Sequence, residues 1–304
     1  MIQDIPVFDF HCHFPVDGSY FPDYPDEPKV DFGSTDSRNY GEVWRKAFNF
    51  PKMEKSEDDL TMAKKWIADM DEKHIEKVCW VSGGGNERLK KIVDLYPDRF
   101  YGMAHHHPDA KDAAEQLEIA FRDYGMLGYK ILGPQVYTSL SDPKYYPLWE
   151  ICQKYNKPVL IHYGLLGAAG GTPNGINISP MSIADASKHF PKVNFVVPHF
   201  GCTHMEDLLQ LMWTRPNVWV DTSGSNQWIR WMPNRMNLED VMRKFVETVG
   251  PERMLFATDS SWMPRGFAYI YLEEQQKIMR FLNLSEEQMH RFLHKNAEFL
   301  LGLN

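Results

Sequence analysis

His11 and His13 stand one residue apart in VFDFHCHF, residues 7–14, and two imidazoles at that spacing are the kind of pair that holds a divalent metal ion. With twelve histidines in 304 residues a single His-x-His is a weak signal, and the chain carries a second in His105-His106-His107. Position has to separate them. On a strand alternate side chains share a face, so Asp9, His11 and His13 are expected to point one way and Phe8, Phe10, Cys12 and Phe14 the other. In a barrel the aromatic set would pack beneath the helices and the polar set would face inward, where it must find partners. His162 ends VLIHYG, His199 ends NFVVPHFG and Asp259 ends MLFATDSS, each at the C-terminal end of an apolar run. Three imidazoles and a carboxylate suit Zn²⁺, with Mn²⁺, Fe²⁺ or Co²⁺ as alternatives.

The elements that must position these groups follow a simple rhythm. Apolar or β-branched runs at 6–14, 75–83, 100–107, 126–132, 158–164, 193–200, 217–223 and 254–260 read as strands. Amphipathic stretches at 58–74, 87–96, 109–123, 143–156, 179–190, 203–213, 237–249, 268–281 and 285–301 read as helices. Ser56, Asp109 and Ser285 are the expected N-caps, and SEEQ at 285–288 has the capping-box pattern. Alternation of this kind specifies a parallel sheet covered by helices, and eight units favour an α/β fold of the closed (β/α)₈ TIM-barrel type. The competing open sheet would carry a glycine-rich phosphate turn after its first strand, and none is there. Residues 1–304 therefore read as one barrel domain, with the five reactive groups on the rim where barrel active sites are built. Two long loops project from that rim: 15–57, expected to be a lid or subunit contact, and the glycine-rich 165–177.

Composition sets outer limits. A net charge of -8, with both signs mixed along the chain, argues against nucleic acid and anionic membranes as partners. The 43% hydrophobic and 24% charged shares are those of a globular protein. No run reaches about 18 apolar residues, as a membrane span requires, and MIQDIPVFDF lacks the features of a signal peptide. Cys12, Cys79, Cys152 and Cys202 are scattered without a CxxC pair, so free thiols and a cytoplasmic location are expected.

DFHCHF on the first strand, followed in order by His162, His199 and Asp259, resembles the amidohydrolase superfamily. The closest likeness is to its amidohydrolase-related branch, which includes aminocarboxymuconate semialdehyde decarboxylase. The resemblance spans essentially the whole chain. It implies His11, His13, His162 and Asp259 as ligands of one divalent metal, with His199 beside it as a base or substrate polariser. It further implies a small carboxylate or carbonyl compound as substrate and a homodimer as the assembly. HFGC replaces the HxGG-like turn of those decarboxylases, and ATDSSW replaces their SDYP-like ending, so the resemblance does not carry over their particular substrates. The leading expectation is hydrolysis of an amide, ester or lactone by a metal-activated water, with Asp259 shuttling the proton. The alternative uses the same atoms for non-oxidative decarboxylation of an unsaturated or aromatic acid. A barrel that only stored or sensed a ligand would be expected to have lost some of the five groups.

Other residues are weighed against plainer roles. Lys130, ending the fourth strand in GYKIL, is a substrate-anion contact, a buried ion-pair partner or, as in binuclear relatives, a carboxylated metal bridge. His105, His106 and His107 are expected to be structural or supporting, and His204 a capping residue. SGGGN at 82–86, lacking a following Lys-Ser/Thr, reads as a close-packed turn. Trp228, Arg230, Trp231, Trp262 and Arg265 lie in the last two loops. Of these, Arg230, Trp262 and Arg265, together with Lys130, are the candidates for gripping a planar carboxylate.

Overall fold

The computed structural model describes residues 5–25, 40–165 and 174–303. All eight strands form: β1 (Val7–His13), β2 (Ile75–Ser82), β3 (Phe100–Gly102), β4 (Tyr129–Leu132), β5 (Val159–His162), β6 (Phe195–Val197), β7 (Val218–Asp221) and β8 (Met254–Leu255). They pair in parallel as β1-β2-β3 and as β4 through β8. Two bridges close the ring, Ala104 with Tyr129 and Cys12 with Ser260. At the second seam Phe10 N donates to Phe256 O (3.1 Å), Asp259 N to His11 O (2.9 Å) and His13 N to Ser260 O (2.8 Å). The closing seam of the barrel is thus what sets Asp259 beside the histidine pair.

The helices are α1 (Tyr40–Ala47), α2 (Asp59–Lys73), α3 (Asn86–Val93), α4 (Ala113–Arg122), α5 (Tyr146–Tyr155), α6 (Ala184–His189), α7 (Met205–Thr214), α8 (Leu238–Val249), α9 (Tyr269–Phe281), α10 (Glu286–His290) and α11 (Asn296–Leu301). A π-helical turn, Arg291–Lys295, joins the last two. The Ser285 capping box forms as expected. Ser56 does not cap α2; Asp58 does, accepting from Thr61 N. Nor does Asp109 cap α4, which starts after Asp112; its carboxylate accepts instead from the Tyr145 hydroxyl at 2.9 Å. The expected loop 15–57 contains α1, its residues 26–39 lie outside the described residues, and so do 166–173 of the second loop.

Several strands are shorter than the apolar runs that mark them, because residues just past the last ladder bond stay buried in the mouth without pairing. His105, His106, His199 and Thr258 are of this kind. Strict alternation along β1 also fails. Phe8 and Phe10 do not pack beneath the helices; they lie in the barrel interior with Cys79, Val81, Leu160, Val196 and Leu255, while Val7, Cys12 and Phe14 join the outer core. The register shifts between Asp9 and Cys12, and such a bulge changes the phase, so that inward Phe10 is followed by inward His11. Ala297, Leu300 and Leu301 of α11 close the barrel floor against the same interior cluster.

Candidate metal centre

Three side chains converge at the mouth, above the Phe8 and Phe10 layer. The ligand atoms of His11, His13 and Asp259 all lie within 4.8 Å of one another, and among the described residues this is where such a group of three forms. Asp259 Oδ1 is 3.2 Å from His13 Nε2 and 4.0 Å from His11 Nε2. The other nitrogen of each ring is held from behind. His11 Nδ1 donates to the buried Asp221 carboxylate at 2.9 Å, which leaves the lone pair on Nε2, facing the site and Lys130 Nζ. His13 Nδ1 meets the Ser82 hydroxyl, which either donates or accepts and so tolerates both tautomers.

The electrostatics suit ligation. Burial is the main cause that pulls His11 down to about 3 and His13 below its ordinary value, so both rings are neutral near pH 7. Burial opposes ionisation of Asp259, but the His13 hydrogen bond and the adjoining imidazoles of His199, His13 and His11 outweigh it and hold the carboxyl well below the usual range. Its side chain remains 36% exposed, open to a ligand. Two neutral imidazoles, one of them fixed from behind by Asp221, and one ionised carboxylate fit a divalent transition metal.

His162 and His199 form an adjoining pair. His162 Nε2 is 2.7 Å from Leu165 O, and a carbonyl cannot donate, so the hydrogen sits on that nitrogen. Its Nδ1 is then a lone pair, 3.2 Å from His199 Nε2, while His199 Nδ1 lies 3.0 Å from the Ser223 carbonyl, which places a hydrogen on that nitrogen by the same argument. Ser223 Oγ approaches His199 Nδ1 at 2.8 Å. The His199 ring lies 5.4 Å from that of His11, which links the pair to the centre. Backbone strain accompanies this arrangement: Asp259 has φ 59°, and His199, Phe200, Gly201 and Cys202 have φ 56°, 53°, 76° and 51° in succession. Non-glycine residues there cost about 1 kcal/mol or more each, a cost that tends to gather at functional sites.

A family model described as amidohydrolase matches residues 8–303. The chain belongs to the amidohydrolase family. Protein fluG of Emericella nidulans is 28% identical over 115 residues, which cover 37% of this chain and 12% of that protein. Among solved structures, 2,6-dihydroxybenzoate decarboxylase from Rhizobium aligns with TM-score 0.64 and 17% identity over 98% of this chain and 99% of that one. A probable 2-pyrone-4,6-dicarboxylic acid hydrolase from Acinetobacter baumannii, with citric acid bound, gives TM-score 0.61 and 15% identity over 97% and 99%. A 5-carboxyvanillate decarboxylase variant from Novosphingobium aromaticivorans, with bound manganese and a nitrobenzoic acid, gives 0.63 and 15% over 99% and 98%.

The remaining candidates of this amidohydrolase separate cleanly. Lys130 is buried under the centre with Nζ 3.5 Å from His11 Nε2. Trp262 and Arg265 are buried together beside Asp259, whereas Arg230 is exposed, bonded to Gln227 Oε1 and stacked on exposed Trp231. Trp228 is buried with Nε1 on Asn226. The histidine trio is structural: His105 Nε2 accepts from Gly83 N and Gly85 N, His106 meets Asn86 and Ala113 O, and His107 meets Gln135 O. Those first two bonds also explain SGGGN as a packed turn. His204 precedes α7 without capping it, its Nδ1 being 3.4 Å from Asp207. All four cysteines are free, three of them buried. Among the described residues no helix is long and apolar enough to cross a membrane. Sequence reasoning missed Asp221, Ser82 and Ser223. Asp221 had a signal, since it ends β7 as His162 and Asp259 end or follow their own strands.

Proposed function

We propose that this protein is a metal-dependent hydrolase that opens an amide, ester or lactone bond in a small carboxylate or carbonyl compound. The observation that carries the reading is the convergence of His11, His13 and Asp259 donor atoms within 4.8 Å at the barrel mouth. These three hold the ion, and His162 is the proposed fourth donor. Zn²⁺ suits the set best, with Mn²⁺, Fe²⁺ or Co²⁺ as alternatives. When bound, the ion supplies a Lewis acid and acidifies water toward neutral pH. Asp259, ionised by its imidazole neighbours, accepts the proton of the attacking water and returns it to the leaving group. His199, with Nδ1 held by the Ser223 carbonyl, turns Nε2 toward the centre as a base or, when protonated, as the polariser of the substrate carbonyl. A homodimer is the proposed assembly, checked by light scattering of the purified chain.

Decarboxylation of an unsaturated or aromatic acid is the second reading. It is favoured by the buried Lys130 ammonium beside the centre, which suits a substrate carboxylate, and by the two decarboxylases of similar fold. There Asp259 or His199 delivers the proton to the carbon that loses CO₂.

Elemental analysis of the purified protein is expected to find a bound divalent metal that is lost in the His11→Ala/His13→Ala variant; unchanged content would overturn the ligand assignment. Metal-loaded protein is then incubated with panels of lactones, esters and amides and of hydroxylated aromatic acids. Acid release from the first panel supports hydrolysis. CO₂ release from the second, with silence on the first, replaces it with decarboxylation.

A further inference from the structure

We propose that Arg265, inside a box of aromatic rings next to Asp259, is a receptor for a planar carboxylate and forms the anion subsite of the substrate. Arg265 is only 7% exposed. Its guanidinium carbon lies 4.8 Å from the centre of the Trp262 ring, 5.2 Å from Phe50 and 5.7 Å from Trp44. These rings come from two separate stretches, the loop after β8 and the end of the segment before α2. They cover the faces of the guanidinium and leave its N–H edge as the direction in which it can bond.

That edge is nearly unused. The hydrogen bond Arg265 makes is a long one, Nη2 to Asp259 O at 3.4 Å, and its Nε has no partner. Among the described residues no carboxylate lies within ion-pair distance of it; Asp259 acts on it only through space. Two half-buried arginines are by contrast well bonded: Arg88 reaches Asp59, Gly83 O and Pro15 O, and Arg253 reaches three carbonyls. A desolvated cation with five donors and one long bond is costly to keep, and an anion that takes two parallel N–H bonds relieves that cost. Flat aromatic walls select a flat ligand. The backbone oxygen that holds Arg265 belongs to the residue proposed to carry the proton, which sets the anion next to the reacting bond. The ligand class is therefore an aromatic or conjugated compound whose carboxylate is distinct from the bond being broken. Its role as substrate rests on the hydrolase reading above; the receptor itself does not.

The test is equilibrium binding of benzoate, with neutral benzamide as control, to the full chain both metal-loaded and EDTA-treated. Calorimetry or the fluorescence of Trp44 and Trp262 reads it. Benzoate is expected to saturate both forms, benzamide to bind about tenfold more weakly, and Arg265→Met to weaken benzoate about tenfold in both. Arg265→Lys, which keeps the charge and loses the planar edge, is expected to fall between. If the residue merely clamps the loop, the variants lower the melting temperature and leave benzoate affinity unchanged, which overturns the proposal. Benzoate binding only in the metal-loaded form, equal binding of benzamide, or no saturable binding overturns it as well. Should Arg265→Met not fold, Arg265→Lys decides by the same criterion. Metal content and hydrolysis are separate readouts, so loss of the hydrolase reading leaves this result standing.

Discussion

Asp221 decides which nitrogen of His11 faces the site. Burial opposes its ionisation, but the adjoining His11 imidazole, the hydrogen bond from it and the nearby His199 hold it well below the usual carboxylate range. The amides of Ser223 (2.9 Å) and His199 (3.2 Å) fix its other oxygen. Asp221→Asn keeps the shape but can present an amide N–H to His11 Nδ1, which would move the ring hydrogen to Nε2. Metal affinity, measured by competition with a chelator, is expected to drop about 10–100-fold; an unchanged affinity would refute the role. Lys130 makes the opposite case. Burial lowers it from 10.5 to about 8, against the pull of Asp221 and Asp259. Between those values the unfolded chain binds the extra proton, so stability rises with pH through that window and the lysine is a liability at neutrality. Lys130→Met is expected to stabilise the metal-free protein by roughly 1–3 kcal/mol at pH 7, shrinking toward pH 10.5, in urea titrations. Of these two residues sequence exposed Lys130, because a lysine inside an apolar strand is anomalous. It gave Arg265 and Arg230 equal standing, because which loop arginine turns inward is settled by rings more than 200 positions away along the chain.

At the scale of elements, strands were legible because parallel barrel strands are buried on both faces and read as continuous apolar runs. The bulge in β1 was not legible, since a one-residue phase change leaves the composition of VFDFHCHF untouched. Helix ends were partly legible: Ser285 with Gln288 makes a reciprocal box, whereas Ser56 lies two residues before the cap that forms, Asp58. Gly133, just after β4, shows how tightly these elements meet. A Cβ there would come 2.7 Å from His162 O and 2.9 Å from Asn177 O, both backbone atoms that cannot swing aside. Gly133→Ala is expected to destabilise by about 1–3 kcal/mol and to displace the end of β5. Thermal unfolding gives the first effect. The second appears as weaker metal binding than in a control Gly18→Ala, where the added atom meets nothing within 4 Å and the backbone is not left-handed.

For the whole molecule the mouth of the barrel sets the response to acid. His11, at about 3, and His105 and His106, at about 4, together with His13 and His162, all have burial as the largest cause of their depression. Unfolded, each imidazole takes a proton near 6.5; folded, each resists until the pH is lower. Unfolding therefore takes up protons below pH 6.5, and stability must fall as pH falls. Asp9 opposes them. Burial raises it from 3.8 to about 7, despite hydrogen bonds from Thr258 across the closing seam and from the His11 amide on its own strand, so the folded state holds that proton and its contribution improves on acidification. One carboxyl against several imidazoles leaves the imidazoles in control. The urea midpoint of the EDTA-treated protein is expected to decline steadily from pH 7 to pH 5, and more steeply in Asp9→Asn, where the opposing proton is gone. A flat or rising midpoint would mean that these rings are hydrated or already charged in the folded state, and with that the lone pairs on which the metal centre depends would be lost.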